Sequence, residues 1–231
     1  CEKDFSSCSG PSSGLMRSGT YDDTTPKIAV THSLNEDVNI YASYTQGFRS
    51  GSFDARARTI DSFLNSQPGP EEVTSIELGL KSTFNDGKIL LNIALFQADY
   101  DDIQKLALEE CEVDTVACPS GRIQRLINAA KATIEGIEIE TKISLTDQFS
   151  LEGSLGYTDA GFDEFLGFDA DGVRGYDPIT DPVAAAALKF ERVPELTYNI
   201  MANYFQPLAN GAELDFRISY SYTDDFYNNA L

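Results

Sequence analysis

Three groups of side chains in this 231-residue sequence have the types and spacing for chemistry. The first is the stretch Phe48-Arg49-Ser50-Gly51-Ser52-Phe53 with Arg56 and Arg58, the only locally basic loop that also carries aromatics. Guanidinium forks meet carboxylate or phosphate oxygens two at a time, and aromatic faces offer a stacking surface. Phe53, Arg56 and Arg58 are therefore candidate ligand-binding residues. The second group lies in FDADGVRGYDPITD, from Phe168 to Asp181. Asp169, Asp171 and Gly172 resemble the start of a calcium loop, and Asp177 and Asp181 add oxygen ligands. The regular third ligand and the closing Glu are missing, so Ca²⁺ competes with a plain solvated acidic loop. The third group is the cysteines, paired as Cys1/Cys8 and Cys111/Cys118, both C-x6-C in loop-like surroundings. Zinc sites are usually spaced more tightly and need more ligands, so two local disulfides in an oxidising compartment are expected.

Catalysis finds no such footing. His32 is the only histidine, flanked by Thr31 and Ser33. A triad needs a positioned nucleophile and acid, and nothing supplies them, so His32 reads as a sheet residue. No Gly-rich phosphate cradle is present, and no cofactor beyond the possible Ca²⁺ is implied. The chain is not read as an enzyme.

The elements that must carry these groups are strands. In EEVTSIELGLKSTFNDGKILLNIALFQADYDDIQ (71–104), Ile76, Leu78, Leu80 and Phe84 alternate with Ser75, Glu77, Gly79, Lys81 and Thr83. A side-chain period of two puts the sets on opposite faces of a sheet. One continuous apolar set against one polar set of mixed charge is the pattern of a strand between lipid and a wet lumen. Asn85-Asp86-Gly87 supplies the positive φ a hairpin turn needs. From 88 to 100 both faces are partly apolar, and that strand alone does not say which meets lipid.

The same alternation recurs along the chain. Strands are expected over 27–34, 38–47, 71–84, 88–108, 122–145, 149–157, 195–205 and 212–222. Gly136 is a candidate bend or bulge. Connections alternate short and long, and a long acidic loop is expected from Thr158 to about Val193. Short turns on one side and long loops on the other are the rhythm of an up-and-down membrane barrel. About ten residues at 3.3 Å rise, tilted near 45°, cover roughly 23 Å, close to the ~25 Å apolar band. Tyr41, Tyr44, Phe84, Phe96, Tyr100, Phe149, Tyr157, Tyr204, Phe205, Tyr220 and Tyr222 fall near strand ends and form candidate interfacial girdles.

Composition narrows the partners. The net charge of −20, from 37 acidic and 17 basic residues, excludes nucleic acid, which needs clustered Lys and Arg. No apolar run approaches the roughly 18 residues of a spanning helix. The N-terminus lacks a basic start followed by an apolar core, so no signal peptide is visible and a mature form or an excised piece is expected.

Three stretches together resemble a known family: YASYTQGFRSGSF (41–53), PEEVTSIELGLKSTFNDGKILLNIALFQADYDDIQ (70–104) and NAAKATIEGIEIE (128–140). In this order they are similar to the barrel of TonB-dependent outer-membrane receptors. The resemblance is specific from about Lys27 to Tyr157 and generic beyond. It implies an all-β, antiparallel up-and-down transmembrane barrel, of which these eight strands are a segment; such transporters have 22 strands around a plug. It implies import of a scarce nutrient (siderophore, vitamin or carbohydrate) across the bacterial outer membrane, with outer-membrane lipid and TonB as partners, TonB acting through a plug. It also implies that Gln46 to Phe48 are scaffold. Residues 1–26 are expected to be an extracellular loop segment, and 27–231 a portion of the barrel. No plug or TonB-recognition segment is visible, eight strands fall short of the family's barrel, and Asn228-Asn229-Ala230-Leu231 lacks the usual terminal aromatic. A piece of a longer protein is expected. Two other readings remain: a self-contained small outer-membrane barrel in adhesion or structure, and a soluble acidic β-sandwich that binds a ligand.

Overall fold

The computed structural model describes residues 17–54, 63–64, 66–110, 121–165 and 188–228. Among the described residues eight strands follow one another: β1 (Lys27–Ser33), β2 (Val38–Arg49), β3 (Glu71–Phe84), β4 (Ile89–Glu110), β5 (Arg122–Ser144), β6 (Phe149–Phe165), β7 (Leu196–Pro207) and β8 (Glu213–Thr223). They form a single antiparallel sheet in sequence order, with β1 at one edge and β8 at the other. The edges are not paired with each other, so this is an unclosed wall and not a small closed barrel. Nor is there a second sheet among the described residues to face it, which removes the sandwich reading.

Register decides the faces. One row across the sheet runs Ile40, Leu80, Ile93, Ile139, Leu155, Tyr198, Tyr222, with His32 at its β1 end. This is the outward face, and it is uncovered: Val30 is 64% exposed and Ile218 76%. β4 now has an assignment: Ile89, Leu91, Ile93 and Leu95 pair within the outward rows, while Leu90, Asn92, Ala94 and Phe96 share the inward ones. Two outward hydroxyls are satisfied within the sheet. Ser82 Oγ donates to the Leu91 carbonyl at 2.7 Å and Thr141 Oγ1 to the Leu90 carbonyl at 3.0 Å, so neither hydroxyl presents a bare donor to hydrocarbon.

The same row measures the strand tilt. It stands four residues from the turn centre in β1–β2, six and a half in β3–β4, eight in β5–β6 and twelve in β7–β8. With the turns at one level, eight residues of stagger over six strand steps give a tilt of about 40° at ordinary rise and spacing. That lies within the range of membrane barrels.

Turns follow their residues. Asn85, Asp86 and Gly87 all have positive φ (54°, 54° and 81°), as does Gly211 (81°) in the β7–β8 turn. Gly136 departs from expectation: it pairs regularly between Phe96 and Thr158, and the ladder irregularities fall at Tyr100/Ile103 and Lys131/Ala132 instead. Its role is clearance, since a Cβ there would strike the Phe96 ring and the Tyr157 carbonyl.

β6 is also longer than its alternation suggests, running to Phe165. Its outward residues turn polar at Asp159 and Asp163, as do those of β4 at Gln97 and Asp99 and of β5 at Glu135. The sheet outlasts the apolar band, so hydropathy marks the membrane edge and not the strand end. β4, at 22 residues, is about 70 Å long at ordinary rise, far more than a ~25 Å band requires.

Candidate functional site

The inward face is polar and tied together by cross-strand bonds. Near the middle, the Tyr41 ring lies on Gly79 and its hydroxyl donates to Glu77 Oε1 at 2.6 Å. Lys81 Nζ sits 5.5 Å from the same ring. Toward the turn end, Asn92 Nδ2 donates to Glu140 Oε2 at 3.0 Å, and Lys142 pairs with Glu152 at 3.0 Å. Arg217 Nε donates to Asn203 Oδ1 at 2.9 Å. These are charges that need water or polar partners inside the wall.

At the loop end the inward face changes character. Ile103, Ala130, Ala132, Phe162, Phe165 and Leu188 are buried together, with Tyr100 and Phe190 packed against them. Phe162 meets Phe165 edge-on (5.2 Å) and stacks on Phe190 (4.8 Å). Lys105 Nζ lies 5.5 Å from the Phe162 ring and 3.8 Å from Glu191 Oε1. The small Ala130 and Ala132 make room for the rings. The result is an aromatic floor in which Phe162 and Phe165 are buried and Phe190 is half-buried, with the Lys105–Glu191 ion pair at its edge.

Beside it, two amide side chains pin the β2–β3 connection. Gln104 Nε2 donates to the Ser50 and Gly69 carbonyls (2.9 and 3.0 Å), and its Oε1 accepts from Ser52 Oγ at 3.1 Å. Asn128 Oδ1 accepts from Gly69 N at 2.7 Å, while Nδ2 donates to the carbonyls of Gly69, Pro70 and Asp102. Glu71 Oε2 accepts from Gln104 N at 2.9 Å and lies 3.8 Å from Arg49 Nη1. The conspicuous Pro70-Glu71 and Asn128-Ala129 stretches thus hold loop to strand.

Of the residues singled out from sequence, Phe53 lies in the β2–β3 connection with the Arg17 guanidinium 5.0 Å from its ring centroid. Its face already meets a cation from the chain itself. Arg56 and Arg58, the acidic residues Asp169, Asp171 and Asp177, and the cysteines Cys1, Cys8, Cys111 and Cys118 lie outside the described residues. His32 stands in the outward row near the β1–β2 turn, opposite Ile40. The girdle set divides. Tyr44, Phe84, Phe149, Tyr157, Tyr204, Tyr220 and Tyr222 share the outward rows, whereas Tyr41, Phe96, Tyr100 and Phe205 share the inward ones. Tyr198, not singled out, stacks on Tyr222 at 5.1 Å. Sequence reasoning also missed Lys105, Phe162, Phe165 and Phe190. The spacing of Phe162 and Phe165 puts them on opposite faces of a regular strand, and only the extra residue on β6 at Asp163, between the pairs Ala132–Phe162 and Lys131–Glu164, brings both to one cluster.

A tilted antiparallel wall, apolar outside and wet inside, defines a segment of a transmembrane β-barrel. The chain matches the family model for the TonB dependent receptor-like beta-barrel over residues 7–231, and it belongs to that family. Among solved structures it is similar to the ferric yersiniabactin uptake receptor FyuA from Yersinia pestis, at 16% identity and a TM-score of 0.57, covering 85% of this chain and 25% of that one. It is similar also to BauA, the ferric preacinetobactin receptor from Acinetobacter baumannii (19% identity, TM-score 0.57, 89% and 26% covered). A third is the copper transporter OprC (15% identity, TM-score 0.52, 77% and 23% covered). These likenesses establish the fold. The chain spans about a quarter of the length of the proteins it matches.

Proposed function

We propose that this chain forms part of the wall and mouth of a bacterial outer-membrane transporter that takes up a scarce nutrient under the drive of TonB. The observation that carries the reading is the register. It sorts the strands into one apolar face, fit for lipid, and one hydrogen-bonded polar face, fit for a wet lumen, and at the loop end it gathers Phe162, Phe165 and Phe190 beside the Lys105–Glu191 pair. The short turns then face the periplasm and the long connections the cell exterior. Inward carboxylates such as Glu77 and Glu140 suit the basic groups of a domain seated inside the barrel, through which TonB would act.

Among nutrient classes we favour a ferric siderophore. Such chelates are often aromatic, the half-buried Phe190 ring offers them a stacking face, and two of the similar structures are receptors for ferric chelates. The test uses the full-length receptor in outer-membrane vesicles, titrated with ferric hydroxamate, ferric catecholate, cobalamin, maltooligosaccharide and copper(II). Saturable binding of one ferric chelate is the expected result. Saturable binding of cobalamin, sugar or copper alone overturns the siderophore class and keeps the transporter. Failure of the protein to fractionate with outer membranes overturns both.

A further inference from the structure

The segment before β1 does not hang free of the sheet. Arg17 Nη1 donates to the carbonyls of Phe63 (2.8 Å) and Leu64 (2.5 Å), and Nη2 donates to Gln67 Oε1. The same guanidinium lies over Phe53. Two residues past Gly19, the Tyr21 ring covers Gly51, where any Cβ would collide with it, and the Tyr21 hydroxyl accepts from Gln67 Nε2 at 3.2 Å. A single short stretch thus reaches both legs of the β2–β3 connection.

Those legs are joined to each other. Ser52 N donates to the Pro68 carbonyl and Asp54 N to the Ser66 carbonyl, both at 3.3 Å, making a narrow stem. The stem is docked on the next hairpin. Ser66 is fully buried, and its Oγ accepts from Leu126 N at 3.3 Å on β5. Gln104 and Asn128 hold the Ser50, Gly69 and Pro70 carbonyls from β4 and β5, using the extra backbone turn at Asp102 (φ 56°). Backbone carbonyls and amides at the stem base therefore find partners on a different hairpin, and removing one partner leaves a shielded polar group without its bond.

We infer that residues 17–21 act as a strap, and that the strap, the β2–β3 stem and the parts of β4 and β5 around Gln104 and Asn128 move as one body at the mouth. The inference rests on the receptor reading only for its consequence: occupancy of the mouth would shift this sector as a unit and not loop by loop. Opening is cooperative, so the stem should not loosen at one anchor while staying closed at the other.

Hydrogen–deuterium exchange on the full-length receptor without ligand tests the strap apart from any substrate. Arg17→Ala removes only the half-buried outer anchor. Its expected effect is a rise of roughly tenfold in exchange at Ser52 and Asp54, and also at Leu126 on the far side of the stem, with the β1–β2 turn unchanged. Asn128→Ala, applied from the opposite side, should speed exchange at Ser52 and Asp54 as well. Should Asn128→Ala fail to assemble, Gln104→Ala probes the same anchor. The double variant with Arg17→Ala should approach the product of the two single effects, because one all-or-none opening loses both contributions. Faster exchange confined to residues 17–22 in Arg17→Ala, or a double variant that exchanges at Ser52 and Asp54 no faster than the quicker single variant, overturns the one-body inference. Absence of siderophore binding by the unsubstituted receptor, with the exchange pattern as expected, would overturn the siderophore reading and leave the strap standing.

Discussion

The Tyr41 ring rests on Gly79 of the neighbouring strand while its hydroxyl donates to Glu77 two residues away. The two residues are directly opposed in the register, so the glycine supplies the floor that an aromatic ring needs to lie flat across an inward face. Phe96 over Gly136 repeats the device one hairpin further on. An aromatic laid on a cross-strand glycine covers backbone that the missing side chain would leave bare.

Gly79→Val should therefore destabilise the folded barrel by about 1–3 kcal/mol, because a branched side chain must displace the Tyr41 ring. Tyr41→Phe keeps the ring and removes only the bond to Glu77, for a loss of about 1 kcal/mol. Unfolding by urea in lipid vesicles ranks them. Equal losses would mean that the ring placement contributes nothing beyond its hydroxyl.

Lipid contact can be tested on one strand. Ile218 faces outward near the middle of β8, and Ser219 beside it faces inward. Ile218→Lys should weaken folding into bilayers by about 2–4 kcal/mol. Ser219→Lys should stay within about 0.5 kcal/mol, since it enters the wet side. Reversal of that order would put the lipid on the other face.

The membrane edge has its own readout. Nitroxides placed along β6 at Leu151, Leu155 and Tyr157 should collide with dissolved oxygen and avoid a water-soluble nickel reagent. At Asp159 and Asp163, still on the strand, the preference should invert. An oxygen preference that continues to Asp163 would extend the apolar band beyond the point where Gln97, Glu135 and Asp159 end it.

Strand existence, faces and most turns were legible because the period of two and the Asn-Asp-Gly punctuation are local signals. Ile76, Leu78 and Leu80 declare their side within one strand. What sequence could not give was where Phe162, Phe190 and Lys105 meet, since that depends on a ladder irregularity and on a chain segment returning from elsewhere. The end of β6 was hidden for a different reason. Above the lipid edge, Asp159 and Asp163 are as welcome outward as Leu155 is below it, and the apolar signal stops while the hydrogen-bonded ladder continues. Asn128 was visible in a recognisable motif, yet its four bonds to Gly69, Pro70 and Asp102 belong to residues distant in sequence.

Phe190 offers the sharpest test of the mouth. It stacks on Phe162 from a separate segment, so Phe190→Ala removes one side of the aromatic floor without touching the strand ladder. Ligand affinity of the full-length receptor should fall roughly tenfold, the equivalent of about 1.4 kcal/mol. Phe205→Ala is the matched control, an inward aromatic near the turn end where its backbone N donates to the Gln148 carbonyl. It lies far from the mouth along the strand, so affinity should hold. Titration of both variants with the bound chelate separates the cases. A fall for Phe205→Ala as large as that for Phe190→Ala would show that loosening the wall anywhere weakens binding, and the aromatic floor would lose its claim to contact the ligand.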